Sequence, residues 1–223
     1  MVGIKQMINI IYEDNHLLVV EKPINIPVQE DESKDLDLLS ILKKYIKEKY
    51  DKKGNVYLGL VHRLDRPVGG IMVFAKTSKC ASRLSEQIRN KQLKKVYYAV
   101  VEGNIFEKGT LKDKIYKDRR QNIVKIDNKG KESLLYFEKI DYKNNLSLVK
   151  INLETGRSHQ IRIQFSSRGY PLYGDHKYNK NVKDNSQIAL FAKEISFYHP
   201  VTKELLKYSL ELPNRYPFSM FNT

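Results

Sequence analysis

Five runs rich in β-branched and aromatic residues crowd the chain from residue 94 onward: KKVYYAVVEG, KESLLYFEKI, NLSLVKINLE, IALFAKEISFYHP and LLKYSLELP. Such residues fit a pleated, half-buried surface, so these runs predict strands and commit that part to a sheet. The first half alternates between strand and helix. IIYEDNHLLVVEKP (10–23) predicts two short strands joined at Asp14-Asn15, with Pro23 ending the second. Leu36 to Lys49 places Leu38, Leu39, Leu42, Tyr45 and Ile46 at helical spacing, the pattern of a covering helix. GGIMVFAK (69–76) predicts a strand, and TSKCASRLSEQIRN a helix capped by Ser78, with Ala81, Leu84 and Ile88 turned inward. A shorter helix is expected in SHQIRIQFSSRG (158–169), with Ser158 as cap and Gly169 as stop. The expected class is therefore α+β, a mixed, largely antiparallel central sheet flanked by helices and loops.

No fixed-period repeat and no Gly/Ser or Pro tract divides the 223 residues, so residues 1–223 are expected to form one domain, with polar loops at 30–37, 50–55 and 178–187. A single cysteine, Cys80, rules out a disulfide framework and a cysteine-rich zinc site, and suits a reducing compartment. The opening MVGIKQMINIIYED is broken by Lys5, Gln6 and Asn9 and ends in Glu13-Asp14, unlike a secretory or membrane-spanning segment. The expected location is the cytoplasm, away from any membrane. Forty Lys and Arg against 26 Asp and Glu leave a formal charge of +14, which attracts polyanions and makes nucleic acid the first partner to consider.

Two charged clusters sit beside apolar runs. VHRLDRPVGG (61–70) crowds His62, Arg63, Asp65 and Arg66 between VYLGLV and GIMVFA. A loop ion-pair cluster is the plain alternative, but Gly69 and Gly70 allow a tight turn that aims the Asp65 carboxylate into a cleft. ETGRSHQIR (154–162) gathers Arg157, His159, Gln160 and Arg162 around a turn, a donor-rich setting suited to a phosphate or a buried carboxylate. Between them, the alternation of KVYYAV sends Tyr97 and Tyr98 to opposite faces of a strand, so one of the two can line a cleft.

Taken in order and at these separations, HRLDRPVGG, KVYYAVVEG and LETGRSHQIR resemble the RluA-type RNA pseudouridine synthases. The resemblance extends over nearly the whole chain, through IIYEDNHLLVVEKP, FAKTSKCASRL and PLYGDHKY. It departs from the family at Asn25, where glycine is usual after Lys-Pro, and at Pro67-Val68-Gly69, where Asp-Thr-Ser is common. Little room precedes residue 10 for the small S4 RNA-binding domain of many relatives, so a stand-alone catalytic unit is expected.

The resemblance implies the pseudouridine synthase fold with a catalytic cleft across the sheet. It also implies a cofactor-free, metal-free isomerisation of uridine in structured RNA, ribosomal or transfer, with no obligatory protein partner. By the same resemblance Asp65 is the catalytic carboxylate, acting as nucleophile at C1′ or as the base that leads to a glycal. Arg162 pairs with it, and Tyr97 stacks on the uracil. Arg63 fills the gap left by the extruded nucleotide, and His62, Arg66, Arg157, His159 and Gln160 contact RNA or order loops. Asp175, in a Gly-Asp turn, is expected to be structural. The competing readings are a non-catalytic RNA-binding or ribosome-assembly factor on the same fold, and a nucleoside or glycoside hydrolase. A glycosidase normally needs a second carboxyl.

Overall fold

The computed structural model describes residues 8–118, 123–182 and 185–221. The opening stretch through Met7 and part of the 178–187 loop lie outside the described residues. The chain divides into two compact units, residues 1–94 with 194–210, and residues 95–193 with 211–223.

In the first unit, β1 (Asn9–Glu13) and β2 (Leu17–Lys22) pair antiparallel. They turn at Asp14, whose Oδ1 accepts the N–H groups of His16 (2.7 Å) and Leu17 (2.6 Å), the local bonding that makes Asp a turn residue. β2 pairs antiparallel with β4 (Gly69–Ala75), to which the short β3 (Gly59–Leu60) also pairs. The last part of β10 (Leu190–Tyr198) and β11 (Leu205–Ser209) complete this set. Because alternate side chains point to opposite faces, Leu17, Val19, Ile71, Val73 and Ala75 share one face. There they pack with Cys80 and Leu84 of α2 (Ser78–Arg89). Leu18, Val20, Met72 and Phe74 are equally buried on the other face. A strand buried on both sides reads as a continuous apolar run, as GGIMVFA does. α1 (Leu38–Lys49) begins two residues later than its apolar spacing predicts, capped by Asp37, whose carboxylate accepts the Ser40 N–H at 3.0 Å. The cap of α2 is Thr77 and not Ser78, since the Thr77 hydroxyl accepts the Cys80 N–H at 3.2 Å.

Glu13 ties this unit together. Its carboxylate accepts hydrogen bonds from Tyr45 (2.9 Å), Lys49 (2.6 Å), Tyr50 (2.8 Å) and Lys76 (2.8 Å). Burial pushes its pKa up, but the donors from Lys49, Lys76, Tyr50 and Tyr45 together outweigh burial and hold it at about 2. A carboxyl with a depressed folded pKa contributes stability that is complete above its unfolded pKa and is lost as pH falls through the folded one. Glu13→Gln is therefore expected to remove about 2 kcal/mol at pH 7 and to flatten the stability curve between about pH 4.5 and 2. Urea unfolding across that window measures both.

The second unit is antiparallel throughout its paired strands β5 (Lys94–Glu102), β9 (Leu146–Leu153), β8 (Lys131–Lys143), β6 (Lys108–Asp118) and β7 (Ile123–Ile126), in that order, with the first part of β10 beside β5. β8 and β9 meet at Asn144-Asn145, both at positive φ, a two-residue hairpin turn that asparagine tolerates. β6 and β7 were absent from the strands expected of the sequence. KGTLKDKIYKD buries only Leu111 and Ile115 between lysines, too polar a run to stand out.

α3 (Gln160–Ser166) lies against this sheet, with Phe165 edge-on to Phe137 at 5.4 Å and Ile163 packed with Ile115 and Val124. Its first residue follows His159 in the left-handed conformation (φ 52°), and no side chain caps it. The expected Ser158 cap does not form. No helix among the described residues is long and apolar enough to cross a membrane.

Candidate active site

The segment HRLDR leads into β4 through a turn in which the Asp65 carbonyl accepts the Val68 N–H at 2.9 Å. Asp65 is half-buried, Arg63 exposed and Leu64 buried, so the leucine anchors the segment while its charged neighbours face outward. His62 accepts the Val73 N–H on Nε2 at 3.1 Å, which fixes that nitrogen as unprotonated and ties the segment to β4. Arg66 spends its guanidinium on the 25–35 loop. It donates to the Asn25 carbonyl (3.2 Å) and the Ser33 hydroxyl (3.0 Å) and pairs with Asp35.

Beneath the turn lies a residue that sequence reasoning passed over. Lys22, the last residue of β2, is fully buried. Its ammonium donates to the carbonyls of Pro23 (2.9 Å), Arg66 (3.0 Å) and Val68 (2.8 Å). The two longer-range bonds grip the backbone just after Asp65. Burial pulls the Lys22 pKa down to about 7, while the Asp65 carboxylate opposes the fall and Arg66 adds to it. Three acceptors matched to three ammonium protons favour the charged form.

The two departures from the family's motif fit here. Asn25 sits at φ 63°, where glycine is the usual choice and asparagine the next best, and its N–H donates to the Arg66 carbonyl at 2.9 Å. Gly69 eases a close approach, since a Cβ there would lie 3.2 Å from both the Ile24 side chain and the Lys22 carbonyl, so that one of them would have to give by a few tenths of an ångström.

In the second unit, Tyr97 on β5 is buried, 6% exposed, and pairs with Ile151. Tyr98 faces the other way, with the Lys193 ammonium 5.6 Å from its ring. The TGRSHQIR turn is braced by Gln160, whose side-chain oxygen accepts from the Thr155 hydroxyl (2.8 Å) and the Arg157 N–H (3.1 Å), while its amide nitrogen donates to the Leu134 carbonyl (3.2 Å). Arg157 donates from Nε to the Glu132 carbonyl at 3.0 Å. Gln160 and Arg157 thus order the turn.

Arg162, buried on α3, makes a two-point pair with Asp175, Nε to Oδ2 at 2.9 Å and a terminal nitrogen to Oδ1 at 2.6 Å. Its guanidinium also lies 5.2 Å from the Tyr178 ring centre, and the Tyr178 hydroxyl meets His159 Nδ1 at 2.7 Å. Asp175 is 1% exposed and also accepts the N–H groups of Lys177 (3.0 Å) and Tyr178 (3.3 Å). The expected turn role of Asp175 is therefore half of what it does. It is also the counter-charge that fixes the Arg162 fork in one plane. Among the described residues no group of three or more His, Cys, Asp or Glu side chains could hold a metal ion.

A sequence profile described as RNA pseudouridylate synthase matches residues 16–167, a span that holds every one of these side chains except Asp175, Tyr178 and Lys193. The chain belongs to that family. Among curated synthases, it is 35% identical over 204 residues to the uncharacterized RNA pseudouridine synthase YhcT of Bacillus subtilis, covering 89% of this chain and 67% of that one. It is 37% identical over 213 residues to the ribosomal large subunit pseudouridine synthase C of Buchnera aphidicola subsp. Baizongia pistaciae, covering 87% and 64%. To the ribosomal large subunit pseudouridine synthase D of Pseudomonas aeruginosa it is 30% identical over 223 residues, covering 92% and 68%. The chain thus spans about two thirds of the length of these relatives. In fold it is similar to the human RNA pseudouridylate synthase domain containing 4, with TM-score 0.76 at 22% identity over 92% of this chain and 88% of that one. The α+β architecture expected of the sequence is the pseudouridine synthase fold.

Proposed function

We propose that the chain isomerises uridine to pseudouridine in ribosomal RNA, with residues 1–223 acting as one catalytic domain in the cytoplasm. The reaction breaks the N1–C1′ bond, turns the uracil and joins C5 to C1′. The C5 proton is lost and N1 regains one, so nothing is oxidised and no water is consumed. Asp65 supplies the carboxylate, as nucleophile at C1′ or as base toward a glycal, and either route requires it ionised. Arg162 supplies the positive charge that favours that state, and Tyr97 the ring that holds the uracil. A base inside a stem must be extruded to be reached, and Arg63, exposed beside Asp65, fills the space it leaves. His62, Arg66, Arg157, His159 and Gln160 shape the segments that meet the RNA.

The observation that carries this reading is the Asp65 turn, pinned from below by Lys22 inside the span that the family profile matches. Ribosomal RNA is favoured over transfer RNA by the named activities of the synthases C and D. Chemical mapping of pseudouridine in ribosomal RNA from a strain lacking the gene, before and after incubation with the protein, is expected to reveal new modified positions in the large-subunit RNA. A map without any new position overturns the proposal. With a charge of +14, affinity for that RNA is expected to fall steeply with added salt.

A further inference from the structure

We infer that the Lys95 ammonium binds a backbone phosphate of the substrate RNA, at the nucleotide whose uracil Tyr97 holds. The inference rests on the isomerase reading and adds to it a ligand for one phosphate. Lys95 stands two residues before Tyr97 on β5, so the two side chains leave the same face of the strand. Its ammonium reaches the TGR turn, where a Cβ on Gly156 would lie 3.3 Å from Nζ. Glycine at 156 thus leaves room for the cation.

What sets Lys95 apart is the lack of anything to balance it. Among the described residues its ammonium makes neither a hydrogen bond nor an ion pair. Lys22 has three carbonyls, and Lys49 and Lys76 share Glu13. Lys95 is nonetheless drawn away from water, and this burial alone lowers its pKa, with no carboxylate to resist. A desolvated cation without a partner is unfavourable in the free protein and becomes favourable when a full anion arrives. The carbonyls of uracil carry no net charge. The phosphodiester of the RNA does, and it follows the uracil wherever the strand enters.

The test compares wild type with Lys95→Met and Lys95→Arg on a fluorescently labelled ribosomal RNA fragment containing the mapped uridine. For Lys95→Met we expect affinity to fall by about tenfold or more, and the slope of log affinity against log salt to shrink by about 0.7–0.9, one phosphate's worth. The Michaelis constant rises while kcat changes little, because the contact persists from ground state to transition state. Lys95→Arg retains most of the affinity. A methylphosphonate at the phosphate flanking the uridine weakens wild type to the same degree and does not weaken Lys95→Met further. The melting temperature of Lys95→Met stays level or rises, since an unbalanced, partly buried charge is gone. An unchanged salt slope in Lys95→Met, or a methylphosphonate loss that adds to the mutation, overturns the proposal. So does a lowered melting temperature with RNA affinity intact, which marks the lysine as structural. If Lys95→Met loses affinity for free UMP or inorganic phosphate but keeps its RNA slope, the site serves a free nucleotide and the assignment to RNA falls. Wild type that binds the fragment with the full slope yet forms no pseudouridine refutes the isomerase reading alone.

Discussion

Asp65→Asn is expected to abolish pseudouridine formation, lowering the single-turnover rate by at least about 10³-fold, because an amide can neither attack C1′ nor take a proton at neutral pH. The variant should fold. It is the main-chain carbonyl of Asp65, and not the carboxylate, that accepts the Val68 N–H, and Asn has the same shape. RNA affinity should stay near wild type, since the phosphate contacts are elsewhere. The measurement is single-turnover tritium release from C5-labelled uridine in the mapped RNA, with the melting temperature as control. Residual activity near the wild-type rate would remove Asp65 from the chemistry. The same variant separates an enzyme from a ribosome-assembly factor. If the gene's cellular role survives Asp65→Asn but fails with Arg63→Ala, the chain works by binding alone.

Lys22→Met should have the largest effect on stability. Methionine fills the space of the stem but leaves the carbonyls of Pro23 and Val68 without the ammonium donor, while the Arg66 carbonyl keeps only the Asn25 N–H. Orphaned buried acceptors cost about 1–3 kcal/mol each, and the apolar side chain offsets part of this, so a net loss of about 2–4 kcal/mol is expected at pH 7. The pH dependence gives the sharper test. With a folded pKa of about 7 against 10.5 unfolded, Lys22 sheds its proton in the folded state first. Between those values the unfolded chain binds more protons, so stability rises with pH. The gap between wild type and Lys22→Met should accordingly widen from pH 7 to pH 9, by about 2 kcal/mol. A gap that narrows would refute the depressed pKa. With the Asp65 turn loosened, the rate should also fall by about 10²-fold, the scale expected of a displacement near 1 Å.

Strong periodicity and local motifs made much of this legible in advance. The β-branched and aromatic content of KKVYYAVVEG and NLSLVKINLE marked β5 and β9, and GGIMVFAK marked β4 as a strand, while its burial on both faces came only with the structure. β6 escaped because one face carries lysine and the other only two buried apolar residues, and β7 because four residues with Val124 alone buried are too short to show an alternation. The helix starts were misplaced by one residue at α2 and two at α1, where Thr77 and Asp37 make the capping bonds. At α3 no side-chain signal exists, because the chain enters through a left-handed histidine.

The candidate site shows the same division. Asp65, Tyr97 and Arg162 stood out as candidates because their motifs are local and ordered along the chain. Lys22 and the pairing role of Asp175 were missed because burial of a lysine and the reach of an aspartate to another element are tertiary facts. LLVVEK carries no sign that its final residue points inward. Nor does PLYGDHKY reveal that its aspartate faces an arginine thirteen residues upstream.

The enclosure of Lys22 has a practical consequence in a chain this rich in amines. Reagents that acylate lysine modify accessible side chains readily, yet the Lys22 nitrogen, fully enclosed and bound to three oxygens, is shielded for as long as the strand and the turn stay joined. Its acylation therefore clocks how often that junction opens, and RNA that slows the clock without covering the residue does so by holding the junction shut.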